Sequence, residues 1–309
     1  MCYSALVEDQ YSRYLRETGA EMDLEQFEEV FGMRAADPSL RILRSVERWF
    51  DDPKSPAEQR IRALIDRHQA KKSELLEEEL GEYRQRIADA EAKLAIKVTK
   101  TATKEREVAT RLAEKAQRDL NGLASNKPTP LDDRIFSFRF GPIVMNVAGR
   151  NVIRLARYHL RRPGDSPSVD RERLGCYNAR RDSLETYWRN QFRHTHAVLL
   201  MNSFFERVTR DEKKLELHFQ PEGADLMRVA CLQAVWQGPD GKKLPSFALV
   251  TDEPPPEVKA AGHDRCPINL RPENVQAWLT PEGRSEGELQ TLLSERQPQY
   301  YGHEVMKAA

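Results

Sequence analysis

Between residues 57 and 121 the chain has no proline, a single glycine (Gly81) and a single Phe, Tyr or Trp (Tyr83), and it is dense in Glu, Lys, Arg, Gln and Ala. Leu76, Leu80, Tyr83, Ile87, Ala90 and Leu94 recur at intervals of 4-3-4-3-4, the seam of a helix that packs on another helix, and Val108 and Leu112 resume it further on. One unbroken helix of this length would hold its ends about 95–100 Å apart, too far to rejoin a compact domain. Two arrangements satisfy the pattern: an antiparallel hairpin inserted into a domain, or a long helix that dimerises. Breakers mark both ends, with Asp51-Asp52-Pro53 and Pro56 before the segment and Asn121-Gly122, Pro128 and Pro130 after it. The expected organisation is one domain built from residues 1–52 and 127–309, with a coiled-coil helical insertion at 53–126. Its charges of both signs nearly cancel, and nothing in it points to chemistry.

The remainder reads as an α+β domain with a twisted or barrel-like, mainly antiparallel sheet and peripheral helices. Residues 2–7 form a candidate strand. Asp23 precedes Leu24, Phe27, Val30 and Phe31 at helical spacing, and residues 41–50 suit a second short helix. Residues 135–140 and 143–147 alternate as two strands around Gly141-Pro142. Further strands are expected at 152–158, 197–205, 215–219, 227–236 and 246–251, and a helix at 290–296.

Formal net charge is zero, but residues 134–193 hold 13 Arg, no Lys and 5 acids. Arginine's planar fork suits phosphates and base faces, although a solvated surface has the same composition. No run of 18 apolar residues and no secretory leader is present, so a cytoplasmic, nucleoid-associated protein without a membrane contact is expected. The four cysteines (Cys2, Cys176, Cys231, Cys266) form no CxxC pair, and no metal or cofactor is called for. Cys176, Cys231 and Cys266 read as small core residues, and His194 and His196 as solvent-facing.

Cys2 is the most informative side chain. Initiator methionine is normally removed before a small residue, and an N-terminal Cys carries a thiol and a free amine on adjacent carbons. The amine can take an aldehyde as an imine, and the thiolate can close it to a thiazolidine. Reference pKa values near ~8 and ~8.5 leave both nucleophiles partly available at neutral pH.

Other fragments follow in a fixed order. Tyr177-Asn178-Ala179-Arg180 precedes Glu185, and Ala197–Met201 runs into Asn202-Ser203-Phe204-Phe205-Glu206. Cys231–Trp236 and Phe247–Thr251 come next, and His263-Asp264-Arg265-Cys266-Pro267 leads to Trp278-Leu279. With Cys at position 2, this series resembles the SRAP family (SOS response-associated peptidase, the abasic-site shield proteins) over about residues 1–32 and 135–308. The resemblance implies covalent capture of abasic sites in single-stranded DNA through Cys2, with autoproteolytic removal of Met1. It implies that Asn178 holds the amine or the sugar hydroxyl, and that Glu206 and His263 move protons. Arg180 and Arg265 would grip phosphates flanking the lesion. Arg157-Tyr158-His159-Leu160 stands where the family has Arg-Trp-Gly-Leu, so Tyr158 beside Arg157 would supply base stacking. Tyr3 and Ser4 replace the family's Gly and Arg, Arg207 its Trp, and Cys266 its Met. The implied partner is single-stranded DNA carrying abasic sites, with a homodimer or protein partner through the helical segment as a further possibility. Two other classes compete: an N-terminal-nucleophile Cys amidohydrolase, and a coiled-coil scaffold with an inactive domain.

Overall fold

The structure is a computed structural model that describes residues 3–125, 127–210 and 212–306. Strand β1 (Ser4–Val7) is followed by helix α1 (Tyr11–Thr18), strand β2 (Glu21–Met22), helix α2 (Leu24–Ala36), strand β3 (Arg41–Ile42) and helix α3 (Arg44–Arg48). Two long helices come next, α4 (Pro56–Ile96) and α5 (Lys100–Ala124). The chain then forms β4 (Arg134–Phe136), β5 (Arg139–Val147), β6 (Arg150–Tyr158), α6 (Val169–Glu172), β7 (Asn178–Arg180), α7 (Arg189–His194) and β8 (His196–Arg210). It ends in β9 (Lys213–Pro221), β10 (Met227–Gln237), β11 (Lys243–Asp252), α8 (Pro256–Ala260), β12 (Cys266–Pro267), α9 (Val275–Leu279), α10 (Glu286–Ser294) and β13 (Tyr301–Val305).

Strands β8, β10, β11, β6 and β5 are paired in that order, and a β5–β8 pairing at Val144 and Val198 closes them into a five-stranded barrel. The β11–β6 pairing is parallel and the others are antiparallel. Apolar side chains such as Val144, Ile153, Leu155, Val198, Leu200, Val229 and Leu249 are wholly buried and form the core. Strand β8 outruns the barrel, and its far half pairs with β1 and β9. The end of β11 likewise carries β7 and β12. The fold is α+β with a barrel-like sheet, as expected.

Local chemistry explains the element starts. Asp23 caps α2 by accepting from the Gln26 N–H at 3.2 Å. Ser55 and Glu58 form a reciprocal capping box at α4, with Pro56 at its first position. Three expectations are corrected. Residues 135–140 are not one strand, because the chain turns at Phe138, with φ +69°, between β4 and β5. Strand β5 instead runs straight through Gly141-Pro142, where a Cβ at Gly141 would stand 2.7 Å from Ile135 Cδ1. His196 is buried, not solvent-facing, with its ring stacked 3.8 Å from Trp278.

Helices α4 and α5 pack as an antiparallel hairpin, with Arg86 paired to Glu105 across it at 2.8 Å. The sequence seam faces inward, since Leu80 and Ala90 are buried and Leu76, Tyr83, Ile87 and Leu94 half-buried. On α5 the buried positions are Ala102, Ala109 and Ala116, seven apart, while Val108 and Leu112 are half-buried at the margin. The root of the hairpin shares the main core. Ile61 and Ile65 are fully buried in it, and Gln69 donates to Glu47 at 3.0 Å. The Arg44 guanidinium donates to the carbonyls of Gly122, Leu123 and Ser125 at the end of α5.

This anchoring predicts two outcomes for shortened chains. Replacing residues 78–113 by a short turn should leave the melting temperature of the body nearly unchanged. Removing residues 55–126 takes out both isoleucines and should cost several kcal/mol, at about 2–5 kcal/mol for each large buried aliphatic removed. Denaturant unfolding of the two variants checks this, and equal stabilities would show that the root does not support the body.

Candidate active site and nucleic-acid interface

Past the barrel rim, β8 places Glu206 directly after the buried Phe204 and Phe205, and it is 0% exposed. The loop before β12 brings His263 to it, with Nε2 3.0 Å from Glu206 Oε2. The other ring nitrogen, Nδ1, lies 2.9 Å from the Arg265 carbonyl oxygen. The Arg265 backbone N–H also faces Nδ1, at 3.3 Å, so that nitrogen is tied to the loop and Nε2 is the one that meets the carboxyl. Burial pushes the Glu206 carboxyl up, against the opposing pull of the His263 bond and of the Tyr3 backbone N–H. A buried carboxyl whose hold on a proton is strengthened by burial, set against an imidazole, can both give and take a proton. Cys266 on β12 is buried, and burial pushes its thiol up, with the Glu206 charge adding to that effect. It is therefore an inert neighbour.

Cys2 lies outside the described residues. Its covalent neighbour Tyr3 lies along β8, where its N–H donates to the Phe205 carbonyl at 3.0 Å.

Asn178 and Arg180 stand on β7, paired with Leu249 and Thr251 of β11. Asn178 is 5% exposed, and neither its amide oxygen nor its amide nitrogen has a hydrogen-bond partner among the described residues. Buried amides are rarely left so, and one on the rim is available to a ligand. The half-exposed Arg180 bonds Asp182 at 2.5 Å, and Arg265 reaches the same carboxylate at 3.9 Å. The two arginines thus converge on one acid, a feature that nothing in their sequence spacing signals.

Arg157 and Tyr158 sit differently from their expected roles. Arg157 is buried and donates to both oxygens of Asp170, at 2.6 and 3.0 Å. Burial alone would raise Asp170, but the bonds from Arg157 and Arg161 outweigh it and hold the carboxyl at about 2. Tyr158 is wholly buried and stacks on Phe247 at 5.2 Å. The ring that reaches the surface nearby is Phe138, 39% exposed and stacked 4.4 Å from His159. His159 occupies the family's glycine position and keeps a glycine-like φ of +133°, which is rare for a residue with a Cβ. Phe138 is hidden in the sequence because it continues the strand alternation.

The departures at positions 3 and 207 accommodate one another. The Arg207 guanidinium lies 3.8 Å over the Tyr3 ring and donates to its hydroxyl at 2.5 Å. Tyr3 meets Phe136 edge-on at 5.6 Å, and Arg139 covers Phe136 at 4.7 Å. Ser4 accepts from Arg134 Nε at 2.9 Å. Alternating arginine and aromatic side chains therefore border the strand that leads to Cys2. Among the described residues no group of three or more His, Cys, Asp or Glu could hold a metal ion, and no helix is long and apolar enough to cross a membrane.

The family model described as SOS response associated peptidase (SRAP) matches residues 95–308. The chain belongs to the SRAP family. This SRAP chain is 29% identical over 132 residues to the abasic site processing protein YoqW of Bacillus subtilis, covering 41% of this chain and 58% of that protein. It is 27% identical over 132 residues to the abasic site processing protein YoaM of the same organism, with the same coverage. It therefore spans only about 58% of the length of these curated relatives. A crystal structure of a protein from Bacteroides thetaiotaomicron is similar at 17% identity and a TM-score of 0.49, covering 57% of this chain and 78% of that one.

Proposed function

We propose that this chain captures the aldehyde of an abasic site in single-stranded DNA as a thiazolidine on Cys2, after autoproteolytic loss of Met1. The main support is the buried Glu206–His263 pair, 3.0 Å apart, with the Tyr3 backbone N–H also acting on the Glu206 carboxyl. Tyr3 is the covalent neighbour of Cys2 in the sequence. The names of the two Bacillus relatives agree with this substrate.

In the reaction the Cys2 amine adds to C1′ of the ring-opened sugar, and the Glu206–His263 unit protonates the leaving hydroxyl. Water departs and an imine forms. The Cys2 thiolate then adds to the imine carbon, and the nitrogen takes a proton to give the five-membered ring. Asn178 offers its unpartnered amide to the sugar hydroxyl or the amine. Arg180 and Arg265 hold flanking phosphates, and Phe138, in place of Tyr158, offers an exposed face to a base. Such a protein would work in the cytoplasm beside the nucleoid.

Intact mass after incubation with an abasic single strand, without reductant, tests the whole reading. The expected product lacks Met1 and carries the oligonucleotide minus one water. A chain that retains Met1 and stays free of DNA would overturn it. In addition, Arg180→Ala and Arg265→Ala should each flatten the dependence of log K on log salt by roughly 0.7 on single strands. Unchanged slopes in both variants would place the phosphate contacts elsewhere.

A further inference from the structure

The charge of the helical hairpin nearly cancels along its length but is strongly sorted. Residues 74–91 carry seven acids (Glu74, Glu77, Glu78, Glu79, Glu82, Asp89, Glu91) against Arg84 and Arg86. Residues 93–104, which form the tip, carry Lys93, Lys97, Lys100 and Lys104 and no acid. All four lysines are exposed, and none makes an ion pair among the described residues. Elsewhere the hairpin pairs its charges, as in Arg86 with Glu105 at 2.8 Å and Lys115 with Asp119 at 3.0 Å. Between the lysines, Ile96 and Val98 are 88% and 80% exposed, the two most exposed large apolar side chains described. The tip also holds the start of α5, whose first turn contains no acid to offset its positive end. A tip that must only stay soluble has no use for bare aliphatics.

We infer that this tip is a second DNA contact, separate from the covalent site and resting on the function proposed above. Its four lysines bind phosphates of the strand beyond the lesion, and Ile96 and Val98 pack against its sugars or bases, as apolar wedges do in architectural DNA-binding proteins. The acidic shaft is repelled by the same polyanion, so the arm touches DNA by its end alone. The last described bond from α4 to the body is that of Gln69 to Glu47. From there to Ile96 the helix rises roughly 40 Å at 1.5 Å per residue. The arm thus carries the tip well beyond the body, and only a long strand can be held by the active site and the tip together.

The test compares the full chain with Lys93→Gln/Lys97→Gln/Lys100→Gln/Lys104→Gln on undamaged single strands of 5 and 40 nucleotides, followed by anisotropy across a salt series. Glutamine keeps helix propensity at these exposed positions, and circular dichroism checks the fold. On the long strand the slope of log K against log salt should fall by about 2.8, at roughly 0.7 for each phosphate no longer neutralised. On the short strand slope and affinity should not change. Ile96→Ser/Val98→Ser should weaken long-strand binding at an unchanged slope, and full retention of affinity would remove the apolar part of the contact. An unchanged long-strand slope, or the same change on both lengths, overturns the inference. So does a quadruple variant that binds DNA normally but loses binding to anionic lipid vesicles or changes its oligomeric state. Covalent capture on an abasic five-nucleotide strand is scored in parallel. Failure of capture by the unaltered chain with a normal long-strand slope defeats the proposed function and leaves the tip contact standing.

Discussion

Cys2→Ala is expected to abolish heat-stable adduct with abasic single-stranded DNA while leaving the melting temperature unchanged. The alanine variant still presents an N-terminal amine and can form an imine, but an imine hydrolyses on heating. Only a thiol on the neighbouring carbon closes the ring. Cys2→Ser separates the two steps, because its hydroxyl is a far weaker nucleophile than a thiolate at neutral pH and gives at most a labile product. Denaturing electrophoresis after heating reads all three proteins in one experiment. A full yield of stable adduct from Cys2→Ala would assign the chemistry to another nucleophile. The remaining described cysteines are poor substitutes, since Cys176, Cys231 and Cys266 are all buried and burial pushes each thiol up. No adduct from any of the three proteins, with DNA still bound, would favour the scaffold reading. Turnover of an amide by the unaltered chain would favour the amidohydrolase reading.

Glu206→Gln should slow adduct formation by about 10²–10⁴, the usual contribution of a positioned acid or base, with little loss of DNA affinity. His263→Ala should act in the same sense. Glutamine keeps the shape and the bond to His263 but cannot exchange a proton. The same substitution has a second, opposite signature. Because burial raises the folded-state pKa of Glu206 above its unfolded value, the folded chain holds a proton that the unfolded chain releases in the window between the two values. Stability from this group is complete below the unfolded pKa and is lost as pH rises through that window. Glu206→Gln has no such loss, so its stability relative to the unaltered chain should grow from pH 4 towards neutrality. Stopped-flow capture and urea unfolding at several pH values check the two halves. Equal losses of rate and affinity would show that Glu206 binds DNA instead of moving protons. A stability difference independent of pH would show that its pKa is not raised.

The parts of this architecture that are legible in the sequence are those written in local periodicity or in motif order. The 4-3 spacing from Leu76 to Leu94 repeats one physical requirement turn after turn, so the inward face can be read directly. The alanine heptad of α5 does not stand out, because alanine is equally at home on a surface. Glu206 and His263 are legible through their order relative to Cys2, although their 3.0 Å contact depends on β12 pairing with β11 and does not follow from spacing. Asp182 as a shared counter-ion, the burial of Tyr158 and the exposure of Phe138 are all non-local. The turn at Phe138 hides inside an alternation that suits a strand, and Phe136, opposite Ser4, is the last residue of β4 paired with β1. The resemblance implies a DNA contact at Arg157, yet its guanidinium is committed to Asp170, 13 residues away.

The contact between Arg207 and Tyr3 has a consequence for how such a sequence can change. Each residue departs from the family pattern, and each accounts for the other, so the two substitutions are a single event in energetic terms. Restoring glycine at position 3 alone would leave the Arg207 guanidinium without its ring and hydroxyl. Restoring tryptophan at position 207 alone would set a second large ring against Tyr3. Either single reversion should therefore score worse than the double one, which is sign epistasis. A lineage moving between the two patterns meets a barrier at the midpoint, and the order in which mutations arise decides whether it crosses.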